Sequence, residues 1–437
     1  DTKEKIGNVD FLGYDTLEAE GQIKILIQDK QTVNKITNTE EFFCITNQTP
    51  FFGESGGQTG DVGIISKDDG TNIKVLDTII PITNLYVHKC KLERGNIKIG
   101  DVVNLSVDKQ HRDDVKRNHT ATHLLHAFLR KRLGKNVVQK GSSVIYSRFR
   151  FDFNYPKAIS REILDEIERE INLLILNNFD VRTKIMSYEE SQKTGSLSLF
   201  GEKYEKDVRV VYVCENEKDV AEHSAELCGG THVNRLGDIG IIKILGGSAI
   251  AAGIRRIEAV TGRFALKYMQ KDCNELKMIT ELVQAEHGKT SERIKNILNE
   301  QKKLVKELNA IKQRELITQL KNTAPETIGK IQLKFFDATK FEPAPIRSSI
   351  QEFLQNERSK NFVVLVFQVE HGKLLCFVGI SFNLHERIGA DNIYKSLVKK
   401  FDAKGGGNKL IAQGSIEYKS DLQEEIKSKV KDILFEL

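Results

Sequence analysis

The sequence predicts an α+β multidomain protein, and three observations lead to that prediction. At 437 residues the chain is longer than one ordinary domain and suggests about three or four. Strand patterns come first, mixed helix and strand patterns follow, and a stretch rich in Lys, Glu, Gln and Leu precedes a second mixed pattern. We therefore predict a small β-barrel at residues 1–106, an α+β domain at 107–262, a helical coiled-coil spacer at 263–325 and a C-terminal α/β domain at 326–437.

Short apolar strands separated by Gly and Asp fill residues 1–106, for example QIKILIQ, EEFFCITNQ and NIKVLDTII. Closely spaced strands of this kind are typical of a small barrel or curled sheet. Among them lies Pro50–Asp61, with the sequence PFFGESGGQTGD. Such a glycine-rich loop is either a tight hairpin or a backbone that approaches a ligand or a neighbouring domain closely. The residues leave both interpretations open.

The second domain contains two pairs of residues with the spacing of metal ligands. His119 and His123 lie four residues apart, about one helical turn, so both imidazoles leave one face of a helix. Cys228 and His232 bracket two glycines in CGGTH. Nitrogen and sulfur donors in a tetrahedral arrangement favour zinc over magnesium or calcium. Either pair alone could be an ordinary helix or loop feature, but together they predict one zinc ion per chain.

Residues near these pairs refine the prediction. Gly229 and Gly230 are expected to take positive φ angles that fold the thiolate and the imidazole toward one point. No Glu follows His119, so the HExxH pattern of zinc metalloproteases is absent. His126 shares the helical face of His119, and we interpret it as a packed histidine or one that supports the ligands, not as a fifth ligand.

The spacer is predicted to be two helices that break at Gly288–Ser291, with Thr290 or Ser291 capping the second. Apolar residues recur at spacings of three and four, as in a coiled-coil seam. The seam consists of Ile294, Ile297, Gln301, Leu304, Leu308 and Ile311. We interpret this region as a spacer and not as a catalytic element. Together with the C-terminal domain, it could also provide the contacts of a homo-oligomer.

The C-terminal domain begins with two apolar strands, NFVVLVFQV and KLLCFVGIS, joined by a hairpin-like turn at His371-Gly372. Further on, Lys404 precedes Gly405, Gly406 and Gly407, and Lys409 follows. Three glycines beside lysines form either a flexible loop or a backbone cradle for phosphate.

Overall charge is a weak indicator of partners, because the formal net charge is only +5. Basic residues nevertheless cluster on both sides of the histidine pair. They are Lys109, Arg112, Lys116 and Arg117 before it, and Arg130, Lys131, Arg132 and Lys135 after it. Such clusters are either solvated helix ends or a phosphate-facing surface beside the metal.

The sequence shows no recognisable targeting signal. The six cysteines lack a regular spacing, which indicates a reducing compartment. No apolar run approaches the roughly 18 to 20 residues needed to cross a bilayer, and no signal peptide opens the chain. We therefore expect a cytoplasmic protein with no membrane partner. Because the first residue is Asp1 rather than Met, the chain looks like part of a longer protein.

Six segments resemble the signatures of the alanyl-tRNA synthetase family, in the family's order. They are PFFGESGGQTGDVG, RNHTATHLLHAFLRKRLG, QKGS, ELCGGTHVNRLGDIG, AAGIRRIEAVTG and GGGNKLIAQG. The resemblance extends over essentially all 437 residues and corresponds to the family's C-terminal half, an editing domain followed by a C-Ala domain. Motifs for ATP binding and class II aminoacylation are not seen. The zinc-bearing part also resembles freestanding deacylases, which usually lack the full spacer and terminal domain.

The resemblance implies editing, that is, hydrolysis of tRNA(Ala) mischarged with serine or glycine, with ATP used only by the ligase domain that is absent here. It makes the four predicted residues the zinc ligands. It also implies that Gln139, in QKGS, faces the metal and holds substrate or water, and that Thr122 admits serine and excludes alanine. The alternative for Thr122 is a helix hydroxyl bonded to its own backbone. The residues expected to contact substrate or tRNA are Gly229, Gly230, Arg130, Lys131, Arg132, Lys404, Gly405, Gly406 and Gly407.

There is a physical reason for an editing site separate from the aminoacylation pocket. A pocket built for alanine discriminates against glycine or serine by only about a hundredfold, so a second, hydrolytic site is needed. Four protein ligands usually close a structural zinc site, whereas a catalytic zinc keeps a position open. The ion could expand its coordination, release a ligand, or only position the substrate while Gln139 and Thr122 orient water. The alternatives to an editing fragment are a freestanding deacylase, a non-catalytic zinc and tRNA-binding module, and a zinc hydrolase of small esters or peptides.

Overall fold

The structure is a computed structural model that describes residues 7–197, 206–214 and 223–436. The chain divides into two compact units, Asp1–Leu276 and Lys277–Leu437. The predicted boundaries at residues 106, 262 and 325 stay predictions. No helix in the described ranges has both the length and the apolar character needed to cross a bilayer.

The first unit begins with a closed barrel. Its strands and neighbouring short strands are β1 (Asp10–Phe11), β2 (Glu18–Gln28), β3 (Gln31–Val33), β4 (Lys35–Ile36), β5 (Glu41–Thr46), β6 (Gln48–Thr49), β7 (Gly63–Ser66), β8 (Asn72–Ile82), β9 (Leu85–Arg94), β10 (Ile97–Lys98) and β11 (Val102–Val107). Six strands follow the order β11-β7-β8-β9-β5-β2, and β11 pairs back onto β2. Ile23, Leu26 and Ile65 are fully buried in the core. The predicted small barrel is confirmed.

Mixed helices and sheets follow the barrel, and the last helix of this series crosses the boundary at Leu276. They are α1 (Lys109–Leu133), β12 (Gln139–Ile145), β13 (Arg148–Asn154), α2 (Arg161–Asn177), β14 (Asp180–Ser187), α3 (Tyr188–Lys193), β15 (Asp207–Cys214), β16 (Ser224–Leu227), β17 (Ile242–Ala251), β18 (Ile254–Thr261) and α4 (Gly262–Leu282). The sheets have the orders β12-β13-β18-β17 and β14-β15-β16. Apolar residues of α1 and α2, such as Leu125 and Ile171, share a core with Phe151 of the first sheet.

Helix α1 has clear end signals. The Asp108 side chain accepts a hydrogen bond from the backbone N–H of His111 at 3.0 Å and so caps the first turn. The helix ends at Gly134, whose φ of 114° suits a residue without a side chain. Basic side chains in the last turn complement the partial negative charge of the helix end.

Arg112 of α1 corrects the sequence prediction, which placed it in an exposed basic cluster. Its side chain is fully buried, and its Nε lies 2.9 Å from both carboxylate oxygens of Asp61. The guanidinium also donates to the carbonyl oxygens of Gly13 at 2.7 Å and Pro50 at 2.8 Å. A buried charge needs such partners, since an isolated one is costly. Arg112 therefore fastens α1 to the barrel and does not face a phosphate.

The second unit has a six-stranded sheet between helices. Its elements are α5 (Thr290–Asn322), β19 (Glu326–Ile328), β20 (Ile331–Asp337), α6 (Pro343–Asn356), β21 (Phe362–Glu370), β22 (Lys373–Ile380), α7 (Ala390–Phe401), β23 (Lys404–Gly407), β24 (Ile411–Glu417) and α8 (Leu422–Phe435). The sheet order is β19-β20-β21-β22-β24-β23, and only β20 and β21 pair in parallel within it. Alternate residues of β21 enter two different cores, which explains its continuous apolar run.

Local turn predictions for this unit are largely correct. The hairpin between β21 and β22 turns at His371 and Gly372, both with positive φ, as a tight hairpin turn requires. The second spacer helix begins one residue earlier than expected, because Lys289 is its N-cap and Thr290 its first residue. The seam residues Leu304 and Leu308 are exposed on α5, so the coiled coil stays a prediction.

The three glycines Gly405–Gly407 are not a flexible loop. They form the edge strand β23, which pairs with β24. A Cβ on Gly405 would lie 2.3 Å from the carbonyl oxygen of Gln413, and one on Gly407 would lie 2.3 Å from the Cα of Ala412. Close approach of two backbones therefore explains the glycines at 405 and 407, and a phosphate cradle is not needed to explain them.

Candidate metal centre

Four residues from distant parts of the first unit converge on one point. His119 and His123 lie on α1, and Cys228 and His232 lie in the segment after β16. Their candidate ligand atoms all lie within 4.8 Å of one another, so the group could hold a metal ion. Three of the four residues are buried, and Cys228 is half-buried.

The two distances from the Cys228 sulfur to imidazole nitrogens fit a tetrahedral ion. The Sγ atom of Cys228 lies 3.4 Å from Nε2 of His119 and 3.3 Å from Nε2 of His232. Zinc–nitrogen distances of about 2.0–2.1 Å and a zinc–sulfur distance of about 2.3 Å imply nitrogen–sulfur separations of about 3.5 Å. The donor set is therefore compatible with zinc in its chemistry, and the sulfur–nitrogen distances agree with it.

The rear nitrogens of two of the three imidazoles have hydrogen-bond partners, as is usual for histidine ligands. Nδ1 of His119 lies 2.7 Å from the amide oxygen of Gln58. Nδ1 of His232 lies 3.1 Å from the hydroxyl of Thr120. Such partners fix the ring orientation and direct the front nitrogen, Nε2, toward the ion.

The remaining imidazole, that of His123, lies beside the carboxylate of Glu226 at ion-pair distance but without a hydrogen bond. One of its carboxylate oxygens lies 3.3 Å from Nδ1 of His123, and the other lies 2.8 Å from Nδ1 of His126. His126 is not part of the ligand cluster, in agreement with its interpretation as a supporting histidine. Burial alone would lower the pKa of His123, but the charges of Glu226 and Cys228 raise it to about 9.

The Cys228 thiol is prepared for metal binding. Burial alone would raise its pKa, but the surrounding imidazoles of His119, His232 and His123 hold it well below its usual range. The thiolate is the form that binds a metal. The backbone N–H of Gly230 also lies 3.4 Å from Sγ, within range of a weak hydrogen bond to the sulfur.

The glycines of CGGTH have a different role from the one predicted. Neither Gly229 nor Gly230 has a positive φ, so that prediction was wrong. A Cβ on Gly230 would lie 2.1 Å from Cε1 of His119 and 2.8 Å from Oε1 of Gln58. A Cβ on Gly229 would have no neighbour nearer than the Tyr14 hydroxyl, at 4.0 Å. Space beside a ligand, not backbone conformation, requires glycine at position 230.

A pocket of about 410 Å³ opens onto the metal centre. Thr122 and Gln139 line it together with His119, His123 and Cys228. The structure thus brings both predicted catalytic residues to the predicted ligands. Gly229 and Gly230 also line the pocket, so both predicted substrate contacts are adjacent to it.

Two family descriptions match the chain. Residues 1–111 match the tRNA synthetases of class II (A), and residues 208–258 match the second additional domain of threonyl and alanyl tRNA synthetases. The second match includes Cys228 and His232.

Curated relatives match nearly the whole chain. The alanine–tRNA ligase of Orientia tsutsugamushi (strain Ikeda) is 38% identical over 429 residues, which cover 96% of this chain and 48% of the relative. That of Rickettsia canadensis (strain McKiel) is 40% identical over 411 residues, which cover 93% and 46%. This chain is similar to alanine–tRNA ligases over nearly its whole length. It spans about half the length of the relatives it matches.

A solved structure gives a weaker match. The C-Ala domain of alanyl-tRNA synthetase from Aquifex aeolicus is 22% identical, with a TM-score of 0.23. It covers 25% of this chain and 97% of that domain.

The basic cluster after the histidine pair does not line the pocket at the metal centre. Arg130 donates to the carbonyl of Val137 at 2.8 Å. Lys131 pairs with Glu170 at 3.2 Å, and Arg132 pairs with Glu166. Lys131 and Arg132 thus pair with carboxylates of α2, and any contact of these three side chains with tRNA would have to compete with intramolecular partners.

Several residues of the pocket were missed by the sequence interpretation. Arg209 donates to the carbonyl oxygens of Cys228 at 2.8 Å and Gly230 at 3.0 Å, and its guanidinium lies 4.3 Å from the Tyr14 ring centroid. Tyr14 in turn donates to the carbonyl of Gly229 at 2.5 Å. Only the glycine-rich segment that contains Gln58 gave a signal in the sequence. Tyr14, Arg209 and Glu226 lie in ordinary strand or turn patterns.

The two glycines provide a matched pair of variants. Gly230→Ala should strongly reduce the metal content, because its methyl group overlaps the His119 ring. Gly229→Ala should retain about one ion per chain, since its methyl group meets open space. Elemental analysis of both purified variants measures this difference. Equal metal contents would contradict the steric explanation.

Proposed function

We propose that this chain is the editing part of an alanine–tRNA ligase and hydrolyses the ester of tRNA(Ala) mischarged with serine or glycine. The observation that carries the proposal is the pocket in which a complete zinc donor set lies beside Thr122 and Gln139. The match to the second additional domain of threonyl and alanyl tRNA synthetases supports it. Ligation of alanine with ATP belongs to the part of such ligases that these residues do not match.

One zinc ion per chain would be held by His119, His123, Cys228 and His232. When bound, it supplies a Lewis acid that polarises the ester carbonyl or a water molecule. The protein keeps the ligands rigid through Gln58, Thr120 and Glu226, so that the ester is presented to a fixed centre.

Thr122 is placed to recognise the serine side chain. Its hydroxyl donates to the carbonyl of Asn118 at 2.8 Å, which is the helix hydrogen bond considered as the alternative role. That bond uses the hydroxyl proton but leaves an oxygen lone pair that can accept a hydrogen bond. Because Thr122 lines the pocket, this acceptor can pair with the hydroxyl of serine, which alanine lacks.

Gln139 is placed to hold the attacking water or the ester. Its side-chain amide donates to Ser142 Oγ at 3.2 Å, and both residues line the pocket. An amide held in this way presents polar groups without adding charge. Water attack on the carbonyl carbon then breaks the bond to the ribose oxygen and releases the amino acid and tRNA with a terminal hydroxyl.

The C-terminal unit supplies a second contact with tRNA in this proposal. Lys404 is exposed and lines a cavity of about 780 Å³ together with Lys373, Lys400 and Lys419. Lysines in such a group can neutralise phosphates. Four acidic residues, Asp402, Glu417, Asp421 and Glu425, also line the cavity, so binding of RNA there would depend on geometry as well as charge. Pairing of two chains through the exposed seam of α5 stays a prediction, as does a cytoplasmic location.

The central test is release of serine from seryl-tRNA(Ala). The zinc-loaded chain should release serine well above the background rate, and chelation or Cys228→Ser should abolish the release because the donor set is incomplete. Release is measured from labelled seryl-tRNA(Ala) with and without chelator. A chain that binds the tRNA but releases no serine is a binding module, and this result would refute the proposal.

The preference for seryl over alanyl esters tests the role of Thr122. Thr122→Val keeps the shape but removes the acceptor, so the ratio of seryl to alanyl hydrolysis should fall about tenfold, the order expected for one hydrogen bond. Hydrolysis of both esters is compared at equal enzyme concentration. If the ratio is unchanged, Thr122 serves only its own helix through the bond to Asn118.

Salt dependence tests the tRNA contact of the C-terminal unit. Replacing Lys404 and Lys409 by Gln should flatten the plot of log affinity against log salt by roughly 0.7 to 0.9 per lost phosphate contact. The control replaces Lys330 and Lys340, two exposed lysines of the same unit, by Gln. If both double variants give the same salt slope, Lys404 and Lys409 do not contact tRNA phosphates.

A further inference from the structure

Gln58 reaches from the barrel into the metal centre. Its side chain is fully buried, and its Oε1 lies 2.7 Å from Nδ1 of His119 and 2.9 Å from the backbone nitrogen of Thr231. Its Nε2 donates to the hydroxyl of Thr231 at 2.9 Å. One amide therefore joins a ligand on α1 to the segment that carries Cys228 and His232.

This network fixes the proton on His119. The backbone N–H of Thr231 can only donate, so the Gln58 atom that faces it must be the carbonyl oxygen. That oxygen cannot donate to the imidazole, and Nδ1 of His119 must therefore carry the proton. Nε2 is left with its lone pair, and this is the atom that faces the Cys228 sulfur at 3.4 Å.

The loop that carries Gln58 is held on both sides. The Gly57 carbonyl accepts from the backbone N–H of Val144 at 2.7 Å, and the Thr59 N–H donates to the Val144 carbonyl at 3.0 Å. At the end of the loop, Asp61 forms the buried ion pair with Arg112. Gln58 is thus placed by a loop that is anchored both to β12, through Val144, and to α1, through Arg112.

We infer that Gln58 is a positioning residue of the metal centre and that it couples metal binding to docking of the barrel loop Pro50–Asp61. The inference rests on the metal site of the proposed function. A bound ion favours the ring orientation of His119 in which Nδ1 donates to the Gln58 amide oxygen. The docked loop favours the same orientation, because it places that oxygen. Coupling of this kind is reciprocal, so each event strengthens the other.

The first test measures zinc affinity of the full chain by competition with a chromophoric chelator. Gln58→Met removes the amide at similar length and should weaken binding about 10- to 100-fold, as for other residues that support a metal ligand. Gln58→Glu keeps an acceptor for Nδ1 of His119 and should restore most of the affinity. Gln48→Met, at a barrel glutamine whose amide donates to the Glu20 carbonyl, is the control and should bind as the wild type does.

The second test follows hydrogen exchange of the amides in Pro50–Asp61. In the wild type, removing zinc should speed exchange in this loop, and in Gln58→Met the effect of zinc should be lost. Wild-type affinity in Gln58→Met would overturn the positioning role, and zinc-independent exchange in the wild type would overturn the coupling. A wild-type chain that binds no zinc would instead contradict the metal site itself, and with it this inference.

Discussion

The convergence of three imidazoles and one thiolate on a single point is the constraint on which the first unit depends. Two donors come from one helix, and two come from a segment about a hundred residues later in the chain. Donor atoms must be placed to within a few tenths of an ångström for a stable zinc site. Each element around the centre can be understood as meeting that requirement.

Helix α1 is the element that connects the ligands to the rest of the unit. Near its start, Arg112 binds Asp61 of the barrel, and two turns later His119 enters the metal centre. The opposite face carries Leu124 and Leu125 into the core shared with the four-stranded sheet. A displacement of α1 would therefore disturb the barrel contact, the core and the ligands together. The barrel region, which holds none of the four candidate ligands, contributes to the site through Gln58 and Tyr14.

The electrostatics of the site follow from the same arrangement. Burial opposes charge on every group, but Cys228 and Glu226 are surrounded by imidazoles, and the pKa of each is lowered despite burial. Negative charge on the thiolate and the carboxylate is therefore retained in a buried place. This is the environment in which a divalent cation is most strongly stabilised, because the low local dielectric strengthens its attraction to both groups.

Sequence patterns predicted the features that depend on local rules. The one-turn spacing of His119 and His123 and the turn at His371-Gly372 depend on near neighbours, so they could be predicted. Gln58, Glu226 and the burial of Arg112 depend on contacts between residues far apart in the chain, which no local pattern specifies. Gly230 was recognised as important for the wrong reason, since its need for space is visible only when His119 is placed beside it. Of the two alternatives for Gly405–Gly407, the flexible loop was wrong, because these residues pair with β24, a contact that no local pattern specifies.

The identity and ligands of the metal are the central claim, and X-ray absorption at the zinc edge of the purified chain tests it most directly. The structure predicts a first shell with about three nitrogen ligands at about 2.0–2.1 Å and one sulfur at about 2.3 Å. Cys228→Ser should remove the sulfur scattering. A shell of oxygen and nitrogen without sulfur, or a purified chain without zinc, would contradict the account.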